Sequence, residues 1–168
     1  MIQWLIACAV FILTSMAVFA EPDTGDLFKL CPSDEGMELI VERLDEDAKR
    51  GDLTEEQIRN AAESRLRAAG SYNPKAFPYL YINVNVGPPE IGHFPFYSID
   101  VRYYRLLLDS RLPRLSYAAT WNVGSVGQGD SSFILSALSQ HMDKFLVDYL
   151  RVRDSKACQD LRRPKASE

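Results

Sequence analysis

Histidine is nearly missing from this 168-residue chain: there are two, His93 and His141, against 8 Phe and 8 Tyr. One falls in a Gly-Phe-Pro turn and the other in an amphipathic segment, so neither has the spacing of a zinc site or a nucleophilic triad. There is no H-E-x-x-H, no G-x-S-x-G and no nucleotide fingerprint. Cysteine is sparse too, with Cys8, Cys31 and Cys158 too far apart for a zinc or Cys-x-x-Cys redox site. Basic residues are not in excess: 19 Lys and Arg against 23 Asp and Glu give a net charge of −4. With a pI near 5.3, this argues against a nucleic-acid partner. Only 9 Gly and 9 Pro, with no internal repeat, exclude collagen-like, low-complexity and solenoid architectures. No catalytic residue, metal ligand or cofactor site is assigned on these grounds. Carboxylates are plentiful, but an acid and base pair cannot be chosen among them without geometry.

Charge is also missing from residues 2–20, IQWLIACAVFILTSMAVFA, and that absence is informative. The run ends in Val18-Phe19-Ala20 and reads as a secretory signal peptide cut between Ala20 and Glu21, for the periplasm or the exterior. No Lys or Arg precedes it, so the α-amino group supplies the only positive charge there. The alternative is an uncleaved leader acting as a membrane anchor, since the run is about long enough to span a bilayer. Leu5-Ile6-Ala7-Cys8 loosely fits a lipid-attachment box, but most of the apolar run follows Cys8 instead of preceding it. Removal of the leader leaves Cys31 and Cys158, an even pair in an exported chain, which are expected to form one disulfide. Closing so long a loop is worth about 4 to 5 kcal/mol in the chain-entropy model.

The mature chain divides into a lead-in (21–36), one domain (37–153) and a polar C-terminal tail (154–168), expected to be ordered only as far as Cys158. Met37 to Leu44 alternates Met37, Leu39 and Val41 against Glu38, Ile40 and Glu42, which predicts a first strand. The Asp45-Glu46-Asp47 cluster is read as the turn that ends it. Thr54 and Gln57 form a capping box, Leu53 and Ile58 a hydrophobic staple, and Glu55 and Glu56 sit where the helix dipole favours them. Ile58, Ala61, Ala62, Leu66 and Ala69 then make an apolar helical stripe, stopped by Gly70.

Of the 15 aromatics outside the leader, 11 lie between Tyr72 and Trp121, marking a β-rich middle. Three strands are predicted there: Tyr79–Val86, Phe96–Leu108 and Leu115–Val123. In the last of them Tyr117, Ala119, Trp121 and Val123 are expected to share the core side. Gly124 to Gly129 is read as a mobile link to a second helix, capped by Asp130 or Ser131. That helix carries the stripe Ile134, Leu138, Met142, Phe145, Tyr149 and Val152. The glycines invite a phosphate-loop reading, but no Lys follows and Asp130 sits where a phosphate would bind.

The order β-α-β-β-β-α implies an α+β two-layer sandwich, with a four-stranded, mostly antiparallel sheet and two helices on one face. The uncovered face would carry Tyr79, Tyr81, Asn83, Asn85, Phe96, Ser98, Asp100, Arg102, Tyr104, Ser116, Thr120 and Asn122. Tyr79, Tyr81, Asn83, Asn85, Arg102 and Tyr104 are the candidate binding residues, because tyrosine combines a large contact area with a polar tip. A sheet face that merely meets solvent is the competing reading. Charge is uneven, with a net −7 over residues 21–69 and +2 over 131–168, as in a solvated acidic edge.

Several segments carry a resemblance to a group of small exported bacterial proteins with no assigned activity. They are Leu39-Ile40-Val41-Glu42, the helix from Leu53-Thr54-Glu55-Glu56 to Leu66-Arg67-Ala68-Ala69-Gly70, Tyr79-Leu80-Tyr81-Ile82-Asn83-Val84, Ala119-Thr120-Trp121 with Gly124-Ser125-Val126-Gly127, and the last helix. The resemblance spans about Leu39 to Leu150 and implies fold and export but no catalytic residue. The element order is also similar, at the level of fold alone, to small α+β domains of bacterial envelope accessory proteins such as the N-terminal domain of the Tol-system propeller protein. Together these lead to an exported, non-catalytic binding or assembly module whose partner is another envelope protein. The membrane would be involved only through an uncleaved leader. A periplasmic small-ligand carrier or enzyme inhibitor, using the glycine segment and Phe94-Pro95-Phe96, is the alternative, and a hydrolase comes third.

Overall fold

The computed structural model describes residues 21–32, 36–50, 52–88, 94–108 and 114–162. The leader with Cys8 and the Ala20–Glu21 junction, His93, and the tail past Arg162 lie outside them. Nine elements follow in order: α1 (Thr24–Leu30), β1 (Glu38–Val41), α2 (Glu46–Arg50), α3 (Glu55–Ala68), β2 (Tyr79–Val86), β3 (Phe96–Leu108), β4 (Leu115–Gln128), α4 (Ser131–Arg153) and α5 (Lys156–Arg162). The strands form one sheet in the order β1-β2-β3-β4, and β2, β3 and β4 make an antiparallel meander. The sheet is mixed, because β1 pairs with β2 in parallel. A helix between two adjacent strands returns the chain to the end it left, and α3 does so here.

The alternating strands and the helix stripes meet in a single core. Leu39, Leu80, Ile82, Ile99, Val101 and Tyr103 from the sheet are buried against Ile58, Ala62 and Leu66 of α3 and Ile134, Leu138, Met142, Phe145 and Tyr149 of α4. Local signals hold as read: Thr54 accepts from the Gln57 backbone N–H (3.1 Å) while Gln57 Oε1 accepts from the Thr54 backbone N–H (2.8 Å). Gly70 adopts φ +60°, the left-handed stop that costs glycine nothing. Asp130 caps α4, accepting from the Phe133 backbone N–H at 2.8 Å.

Five helices stand where two were expected, and the additional three are short. Asp45, read as part of a turn, instead starts α2 by accepting from the Ala48 backbone N–H (2.7 Å), with Ala48 buried. Its other oxygen accepts from the Val86 backbone N–H at 3.1 Å, which joins this turn of helix to the end of β2. The lead-in is likewise structured: Asp23 caps α1, Leu30 is buried, and Asp26 accepts from the Arg151 guanidinium of α4 at 2.8 Å. In the tail, α5 carries Cys158, fully buried and bonded to Cys31. Helices of five to seven residues do not persist alone, so their anchors lie in distant parts of the chain.

β4 also departs from expectation. It runs on through Gly124 and Gly127 to Gln128, so these glycines belong to a strand and not to a mobile link. A Cβ on Gly124 would stand 2.7 Å from the Ile99 carbonyl oxygen, and one on Gly127 would stand 2.8 Å from the Tyr97 hydroxyl. At Gly124 the obstruction is the β3 backbone itself, which leaves no room for a side chain, whereas at Gly127 it is the ring of Tyr97. Further back, the register skips between Tyr103 and Tyr104: Tyr103 lies opposite Trp121, Tyr104 opposite Ala119, and Thr120 bulges out. A bulge reverses the facing of every residue on one side of it. Tyr117 and Ala119 therefore face away from the helices, contrary to expectation, while Ser116 and Thr120 turn towards them.

Candidate functional site

On the face away from the helices, cross-strand rows bring the six expected residues together. Tyr79 lies opposite Tyr104, Tyr81 opposite Arg102, Asn83 opposite Asp100 and Asn85 opposite Ser98. The first two rows support an aromatic cluster. The Tyr79 and Tyr104 rings stack at 4.8 Å with an 11° interplanar angle, Tyr81 meets Tyr104 edge-on at 6.2 Å, and Tyr117 tilts against Tyr79 at 5.1 Å. These are preferred arrangements for aromatic pairs on adjacent strands. The cluster lies at the end of the sheet where β3 and β4 outrun β2, and Leu106, Leu108 and Leu115 continue the apolar surface onto that projecting ribbon.

A polar band borders the tyrosines. Arg102 pairs with Asp100 and with the Tyr104 phenol, which holds its guanidinium above its ordinary pKa. The Tyr81 hydroxyl donates to Glu42 just past β1, and this bond, with some burial, pushes the phenol up to about 12. Burial, followed by the neighbouring phenols of Tyr104 and Tyr117, raises Tyr79. The Tyr79 and Tyr81 phenols therefore hold their protons at physiological pH and act as hydrogen-bonding tips on an aromatic platform. Asn85 donates to Ser98 Oγ at 3.4 Å. Beyond it, Phe96 and Val126 flank an open depression of about 690 Å³.

Two members of this face escaped the sequence reading. Alternation alone puts Tyr117 in the core, because the bulge at Thr120 leaves no mark on the pattern around it. Alternation puts Glu42 on the polar side of β1, but its bond to Tyr81 depends on the parallel pairing of β1 with β2.

His141 Nε2 lies 2.8 Å from Ser125 Oγ, tethering α4 to β4, and burial, then Lys144, lowers the imidazole pKa. Trp121 donates to Asp148 of α4 at 3.1 Å. The Phe94-Pro95-Phe96 region borders a shallow depression of about 470 Å³ with Gly129, Asp130 and Phe133, whose helix terminus is already taken by the Asp130 carboxylate. Among the described residues, no three His, Cys, Asp or Glu side chains converge as a metal site would need.

The Cys31–Cys158 disulfide, with a Cα–Cα distance of 5.6 Å, fits an oxidising, exported compartment. No helix among the described residues is long and apolar enough to cross a membrane. No protein-family model, no curated protein and no solved structure matches this chain.

Proposed function

We propose that the protein is an exported, non-catalytic binding module that captures another protein of the bacterial envelope through the open face of its sheet. The observation that carries this reading is the tyrosine cluster of Tyr79, Tyr81, Tyr104 and Tyr117, which no layer of the described structure covers. Aromatic surface with polar tips is the material of protein interfaces, and rings already held by one another lose little freedom on binding. Arg102, Asp100, Asn83 and Asn85 supply a polar rim around it. In this reading residues 1–20 direct export and are removed between Ala20 and Glu21.

The test is photocrosslinking in the exporting cell, with a probe at Tyr81 and a control at Asn60, an exposed position on α3. A discrete adduct with one other protein at Tyr81, absent at Asn60, is the expected result. Equal labelling at both sites, or none at Tyr81, overturns it.

A further inference from the structure

The two edges of the sheet are unlike. β1 is four residues long, carries Glu38, and runs into Glu42 and Asp45. Short strands and charges are how natural sheets keep their edges from pairing. β4 has 14 residues, LSYAATWNVGSVGQ, with no Asp, Glu, Lys, Arg or Pro, in a chain that is 25% charged. At the bulge the edge is met by α1, where Thr120 Oγ1 donates to the Lys29 carbonyl at 2.6 Å. From Trp121 to Gln128, the strand pairing among the described residues runs to β3 alone. That stretch also carries Val126, which is 83% exposed.

We infer that β4 pairs antiparallel with β4 of a second copy of this chain, about a two-fold axis at Gly124, to make a closed dimer with one continuous sheet. Three features select a second copy. A neutral strand set against itself brings no like charges together, whereas β1, short and acidic, offers β4 no head-to-tail partner. Association therefore closes at two instead of growing into a fibre. The α1 contact at Thr120 ends the free edge, so pairing covers residues 121 to 127. In this register Trp121 of one copy lies opposite Gly127 of the other, a large residue against a small one. Asn122 lies opposite Val126 of the second copy, and both are exposed on the tyrosine side. The two tyrosine faces then lie on the same side of one sheet. This inference does not rest on the proposed envelope partner.

The experiment is sedimentation equilibrium on the oxidised protein, purified as the exporting cell processes it, over a concentration series. The wild type is expected to approach twice the protomer mass. N122K/V126K sets lysines opposite one another and is expected to sediment at the single protomer mass. N122K/V126E sets each lysine against a glutamate of the second copy and is expected to return to the doubled mass. Both positions are exposed, so thermal melting checks that each variant remains folded. A wild type of single mass at every concentration overturns the inference, as does a dimer that N122K/V126K leaves intact. A K/E variant that stays monomeric overturns the pairing about Gly124.

Discussion

The two faces of the sheet each carry an aromatic cluster, and the clusters are built alike. On the covered face, Tyr103, Phe145, Tyr149 and Trp121 meet at centroid distances of 5.1 to 5.8 Å. On the open face, Tyr79, Tyr81, Tyr104 and Tyr117 meet at 4.8 to 6.2 Å. Ring spacing does not distinguish them; the layer above does. The Phe145 and Tyr149 rings come from α4 and vanish from solvent, whereas the open rings all come from strands and have no second layer. A sheet can thus assemble an aromatic platform from cross-strand contacts alone, and leave its outer surface unspent.

The contrast can be broken from the covered side first. Phe145→Ala removes a fully buried ring that touches Tyr103, Trp121 and Tyr149, and is expected to cost about 3–5 kcal/mol in denaturant unfolding. Tyr81→Ala with Tyr104→Ala removes two rings from the open side and should cost only about 1 kcal/mol, the scale of cross-strand pairs, while abolishing co-purification of the proposed envelope partner. A loss as large as that of Phe145→Ala would mean the open cluster is a core in its own right.

The smallest effect concerns one proton. The folded-state pKa of Tyr81 lies near 12, above that of a free phenol near 10. Its contribution to stability is therefore fully present below pH 10 and is lost as pH rises through about 12. Glu42→Gln is expected to move the Tyr81 titration, followed by NMR of its ring carbons, back towards 10 and to remove the small, solvent-screened contribution of that bond to stability at neutral pH. An unchanged titration would show that Glu42 is not what holds the proton.

How much of this was legible follows from where each signal resides. β2, β3, α3 and α4 were readable because unbroken periodicity and local caps sit within each segment. All six candidate residues on the open face came from β2 and β3, where alternation runs without interruption. The short helices were not readable, since Ala48, Leu30 and Cys158 are anchored by residues far along the chain. Glycine misled at the end of β4: it resembles a hinge in sequence, yet here it admits the backbone of β3 at Gly124 and the ring of Tyr97 at Gly127. The extra residue at Thr120 hid Tyr117, because a skipped register is a relation between two strands.

The bridge between α1 and α5 turns the chain from Cys31 to Cys158 into a covalent ring that encloses every strand and the two long helices. A single cut anywhere within that ring frees no fragment. The nicked molecule keeps its mass until a reductant opens the ring, and its strands can stay docked in the sheet throughout. Surface cleavage and loss of the protein are thereby uncoupled, so that in an environment rich in proteases the limiting event for turnover becomes reduction or global unfolding.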